Sequence, residues 1–368
     1  MIQIIKKIFV ILITFFILLS CFSTLQGLNI NIEHKKVEKN NNKFLYNITT
    51  EDGCSLDITR YKGVKNNSIL MIHGYACSKK IFDWDKNHSL AKFLNEDGWD
   101  VWNLNLRTHD ADGDFWFDKD SDRERFNRYW DFDRTYLKKD VAAAVNFIKN
   151  KTQEKQIYLL GHSMGGYLCY AYAELLNQSD LAGFITMGSS AVGYSYNLPY
   201  LSLLRYGFKL GKRAFVNPFG LSYKHFPKYN VKNFPTDSPY FFYKNTTTTS
   251  IQNDFLYGLD DEPAGVFVDI IFGKENRFNN GHWLDPQTLY DYTKNLEKIK
   301  VPCLLISGDE DIIDPVGDVF STYVKIGSEN KVFLHFEDYA HMDLVLGDNA
   351  RDDIFSEITN WLNSNSSD

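Results

Sequence analysis

What the chain lacks narrows its role first. Its five cysteines form no C-x-x-C pair and have no histidine at metal-ligand spacing, so no metal site is expected. It has no basic stripe: 40 Lys and Arg face 47 Asp and Glu, mixed along the chain, for a net charge of −7. Neutralising a phosphate backbone needs clustered cations, so nucleic acid is excluded as a partner. There is no internal repeat, which excludes solenoid and propeller architectures. The apolar run near the N-terminus, Ile8–Leu19, falls short of the roughly 18 residues a comfortable membrane span requires.

That run has another reading. Lys6 and Lys7 precede it, and small or polar residues (Ser20, Cys21, Ser23, Thr24) follow it, the layout of a secretory signal. Leu18-Leu19-Ser20-Cys21 also resembles a bacterial lipoprotein cleavage box, in which Cys21 would carry the lipid. Residues 1–28 are therefore expected to be a signal peptide or an N-terminal anchor, and the protein secreted or membrane-tethered outside the cytoplasm. Cys169 and Cys303 lie in apolar runs and are expected to be buried thiols.

The remaining chain, 44% hydrophobic overall, can build a sizeable core. Phe44–Thr49 and Leu56–Tyr61 form an expected hairpin turned at Glu51-Asp52-Gly53. Strand-like runs at 68–72, 100–106, 156–160 and 181–187 then alternate with helical patterns at 89–95, 136–149 and 167–176. Strands at 301–306 and 331–336 and a helix at about 352–362 complete the set. Alternation of this kind predicts an α/β fold: a mostly parallel sheet with helices on both faces. The rhythm breaks between Gly193 and Asp291, a stretch rich in aromatics, Asn and Pro that reads as an inserted cap. The expected division is a core in two parts, 29–192 and 292–363, a cap at 193–291 and a disordered polar tail at 364–368.

Gly161-His162-Ser163-Met164-Gly165 matches G-x-S-x-G between a predicted strand and a predicted helix, the context that gives the motif meaning. A serine on so sharp a turn needs neighbours without Cβ atoms, and the helix start brings free N–H groups beside it. A serine hydroxyl is a weak nucleophile until a base takes its proton. His341, in the loop after the last strand, is the expected base; His335 lies inside that strand and His73 and His162 belong to other elements. The acid is expected from Gly308-Asp-Glu-Asp311-Ile-Ile-Asp314. Asp311 fits best, because Ile312-Ile313 would hold it against the core. Asp314 is the alternative, and Asp309 is expected to face solvent. The oxyanion hole would take the Met164 N–H and, from the His73-Gly74-Tyr75 turn, the Tyr75 N–H. The acidic run Asp110–Asp122 fails the calcium-loop pattern, with Phe115 where Gly is required, and reads as a solvated loop.

With these residues the chain resembles the α/β-hydrolase superfamily over nearly all of residues 43–363. Thr50-Glu-Asp-Gly53, the His73-Gly74 loop, Ser89-Leu-Ala91, Gly98-Trp-Asp-Val-Trp102 and Trp130-Asp-Phe132 leading to Asp140-Val141 look like the acid (gastric and lysosomal) lipases and their microbial relatives. The elbow Gly-His-Ser-Met-Gly-Gly looks more like the monoacylglycerol lipase type. The resemblance implies an ester hydrolase working through an acyl-enzyme, with Ser163, Asp311 and His341 as triad and no cofactor. Arg107-Thr-His-Asp110 stands where many relatives have Arg-Gly-His-Gly. Lipid or long-chain acyl esters are the expected substrates, with membrane contact through the N-terminus or cap. Acyl transfer or polyester synthesis on the same triad is the rival reading; a non-catalytic binding protein would have no reason to keep all three residues in order.

Overall fold

The computed structural model describes residues 36–37, 42–107, 109, 131–193, 241–244, 246–257, 259, 266, 269–270, 273–274 and 281–366. The N-terminal segment, the Asp110–Asp122 run and most of 193–291 lie outside them, as do most of the aromatic residues of that stretch. Nine strands form one sheet: β1 (Lys36–Val37), β2 (Lys43–Thr49), β3 (Ser55–Tyr61), β4 (Ser68–Ile72), β5 (Asp100–Leu104), β6 (Ile157–His162), β7 (Leu181–Met187), β8 (Cys303–Gly308) and β9 (Lys331–Phe336). Their order is β1-β2-β3-β5-β4-β6-β7-β8-β9. The first three pair antiparallel, β3 also meets β5 antiparallel, and every pair from β5 to β9 is parallel.

Alternate residues of the central strands face opposite layers, as the two-residue period of a strand requires. Leu70, Ile72, Leu159, Phe184 and Leu305 pack in one core. It is covered by α2 (Ala142–Thr152), α3 (Met164–Leu175) and Val319 of α5 (Val316–Lys325). Ile69, Met71, Leu160, Ile185 and Ile306 face the other core, under α1 (Leu90–Glu96) and α6 (Ser356–Asn365). A strand buried on both faces cannot alternate apolar with polar, which is why β4 reads Ser-Ile-Leu-Met-Ile and is buried throughout. Helix starts are capped from the sequence: Ser89 accepts from Lys92 N at 3.1 Å, and Asp131 accepts from Arg134 N at 2.7 Å ahead of the wide-wound turns Phe132–Val141 that lead into α2.

Two elements differ from expectation. The terminal helix runs to Asn365, where Tyr158 donates to the Asn365 carbonyl at 2.7 Å, so the start of the expected disordered tail is ordered. Within the inserted stretch a helix, α4 (Thr249–Tyr257), buries Ile251, Phe255 and Leu256 beneath Phe241 and Phe242. No described helix is long and apolar enough to cross a membrane.

Candidate active site

Parallel pairing puts the C-terminal ends of β4, β6, β7, β8 and β9 along one edge, where the register matches Ile72 to Gly161, His162 to Met187, Met187 to Ile306 and Gly308 to Phe336. The loops leaving that edge carry Tyr75, Ser163, Gly188, Asp311 and His341. In open α/β sheets this edge is where ligands bind.

Ser163 stands between β6 and α3 with φ 53° and ψ −122°, a strained conformation for a residue with a side chain. The turn closes so tightly that a Cβ on Gly161 would strike the backbone of Gly165, and one on Gly165 would strike the Ile72 carbonyl. That is the physical content of the two glycines flanking the serine. Ser163 N donates to the Met187 carbonyl at 2.9 Å, pinning the elbow to the next strand.

His341 Nδ1–H donates to Asp311 Oδ2 at 2.8 Å, and both side chains are buried. Burial alone would push the imidazole pKa down. The charge and hydrogen bond of Asp311, with Asp314 behind it, outweigh that and hold it above the ordinary histidine value. Asp311 Oδ1 accepts from Ile313 N and Asp314 N, each at 2.9 Å. The carboxylate is therefore aimed by its own loop backbone. Ile312, expected to press it against the core, is 44% exposed; only Ile313 packs inward. Gly188, at φ 55°, passes so close that a Cβ there would lie 3.0 Å from Asp311 Oδ2 and 3.1 Å from His341 Nδ1. His335 is exposed and pairs with Asp309 at 2.8 Å, away from this cluster.

Ser163 and His341 are linked through a residue that the motif hides. His162 Nε2–H donates to the His341 carbonyl at 2.9 Å, and the two rings lie 4.7 Å apart. Burial, then the neighbouring His341, lowers the His162 pKa to about 3, so it stays neutral and structural. On the other side, the turn Gly74–Cys77 abuts Ser163: a Cβ on Gly74 would sit 3.0 Å from Ser163 Cβ. Tyr75 lies in that turn. His73 holds the turn from below, its Nδ1–H donating to the Gly74 carbonyl at 2.9 Å and its Nε2 accepting from Leu106 N at 3.1 Å. Met164 is the first residue of α3, so its N–H belongs to the helix-start donors that have no intrahelical acceptor.

The family model described as alpha/beta hydrolase fold matches residues 67–216. The topology and the strained serine elbow carry the same assignment. This chain has the α/β-hydrolase fold. Curated relatives include a tear acid lipase-like protein of Mesocricetus auratus, 26% identical and covering 83% of each chain. Human gastric triacylglycerol lipase is 24% identical, covering 86% of this chain and 87% of its own. Among solved structures, a lipase-like protein from Sulfolobus solfataricus superposes with a TM-score of 0.64 at 18% identity, over 90% of this chain and 99% of that one. Among the described residues no group of side chains could hold a metal ion.

Proposed function

We propose that this chain cleaves carboxylic esters through an acyl-enzyme formed on Ser163. Ser163 Oγ attacks the acyl carbonyl while His341 Nε2 takes its proton, and Asp311 fixes the tautomer that leaves Nε2 free. The N–H groups of Met164 and Tyr75 receive the charge that develops on the carbonyl oxygen. His341 returns the proton to the leaving alcohol, then activates water to release the acid. Every proton is carried by the chain's own groups, so the scheme calls for no cofactor. The observation that carries the reading is the buried 2.8 Å His341–Asp311 pair packed around the strained Ser163 turn. The lipase relatives support ester hydrolysis as the reaction. Their names, with the aromatic residues of 193–291 read as an apolar cap, favour lipid or long-chain acyl esters as substrates. The segment 1–28 is read as an export signal or anchor, with Cys21 as the lipidated residue if it is an anchor.

Hydrolysis of nitrophenyl esters from short to long acyl chains tests this directly. Ser163→Ala is expected to lose about 10³-fold or more in kcat. Cleavage that survives the substitution would sink the serine mechanism. Acyl transfer to an added alcohol in place of free acid would move the activity to the rival class. The profile across chain lengths separates a lipase from a short-chain esterase.

A further inference from the structure

The loop after β8 buries two carboxylates three residues apart, Asp311 at 2% exposure and Asp314 at 0%. Both lie close enough to His341 to raise its pKa. Two full negative charges there would hold the imidazole protonated, and a protonated imidazole cannot accept the serine proton. The second charge is met by Lys274, from the stretch between β7 and β8. Its Nζ lies 3.0 Å from Asp314 Oδ1, with both side chains at 0% exposure. It also donates to the Ser190 carbonyl and Oγ at 2.8 and 2.9 Å and stands 3.9 Å over the Tyr167 ring. Asp314 is saturated: Ser190 N and Oγ donate at 3.0 and 2.5 Å, and Tyr167 donates to its other oxygen. Its own N–H donates to Asp311 Oδ1 at 2.9 Å, so the lysine's partner is one backbone bond from the acid of the candidate triad.

We propose that Lys274 is a positioning residue for the active site: it neutralises Asp314, fixing the loop that aims Asp311 and leaving Asp311 as the single uncompensated charge beside His341. This rests on the assignment of Ser163, Asp311 and His341 above. A surface lysine would not serve, because an exposed pair is screened and contributes little. Burial lowers the lysine pKa while Asp314, Asp318 and Asp311 all oppose that, so its charge does not depend on Asp314 alone. The groups facing His341 are thus Asp311, Asp314, Lys274 and the neutral His162.

The signs make the test. Removing the lysine charge in Lys274→Met is expected to raise the His341 pKa by about one unit. Removing the aspartate charge in Asp314→Asn is expected to lower it by a similar amount, and the double variant should return to the wild-type value. Two readouts report it: the acid limb of kcat/KM on a nitrophenyl ester, and the His341 imidazole C–H resonance across pH, assigned by its loss in His341→Gln. The limb in Lys274→Met should move up, with kcat at neutral pH falling about tenfold and KM nearly unchanged. Unmoved titration in both single variants, or a double variant that fails to restore it, would overturn the proposal. Should Lys274→Met not fold, the upward shift in Lys274→Gln, which keeps the length and a hydrogen-bond donor without the charge, carries the same decision. A wild-type protein that cleaves no ester defeats the assignment of the reaction instead, while the resonance still reports on Lys274.

Discussion

At the scale of single residues, the site depends on groups that a change of one atom would spoil. Asp311→Asn keeps the shape of the side chain but can present an N–H to His341 Nδ1, favouring the wrong tautomer. A fall in kcat of about 10⁴ is expected, with KM little affected, in steady-state kinetics. The placement of Ser163 was legible because G-x-S-x-G fell between a strand and a helix, and that of His341 because it followed the last strand. Asp311 was legible only in part: three carboxylates competed in one loop, and the one chosen is held by backbone donors of Ile313 and Asp314 that a sequence does not display. Lys274 was missed altogether. A lone lysine reads as surface, yet it follows the apolar run Gly265-Val-Phe-Val-Asp-Ile-Ile-Phe-Gly273, and a charge ending such a run was the available signal.

At the scale of elements, Arg107 does the joining. From the end of β5 it bonds Asp140 of the wide-wound turns ahead of α2, with Nε at 2.8 Å, and Asp52 of the β2–β3 turn, with Nη1 at 2.8 Å. Arg107 and Asp140 are almost wholly buried, so replacing the arginine strands a carboxylate. Arg107→Met is expected to cost about 3–5 kcal/mol in denaturant unfolding. The bounds of β4 and β7 matched the apolar runs in the sequence, because residues buried on both faces leave an unbroken hydrophobic signature. The helix Val316–Lys325 was not anticipated: Phe320 and Val324 remain exposed on it, blurring its periodicity.

At the scale of the whole molecule, buried acids set how stability follows pH. Burial raises the Glu174 pKa to about 9. A carboxyl whose folded pKa is raised favours the folded state while protonated, and that contribution is lost as pH rises through the folded value. His341, also raised, acts in the same sense. The thermal midpoint is therefore expected to fall as pH rises from about 4.5 to about 9, the histidine steepening the fall above about 6.5. Glu174→Gln should flatten most of that slope in a thermal-shift series; an unchanged slope would assign it elsewhere. Toward acid, His162, neutral until about pH 3 when folded, takes a proton more readily once unfolded, so it opposes the Glu174 gain below about pH 6.5 and lowers stability from about pH 4.5 down.

The stretch between β7 and β8 touches both the loop of Asp311 and the loop of His341. Lys274 meets Asp314. Near His341, Asp343 accepts from Tyr243 N at 2.7 Å and from Thr247 Oγ1 at 2.6 Å, while Met342 N donates to the Phe241 carbonyl at 2.7 Å. Burial raises the Asp343 pKa to about 6, against the pull of those donors. The two parts are consequently not interchangeable modules. A chimaera that grafts a relative's 193–291 onto this sheet inherits two buried carboxylates, and it will work only if the donor segment brings a cation and a hydroxyl to meet them. Evolution of a new specificity by swapping that segment is confined to segments that carry both.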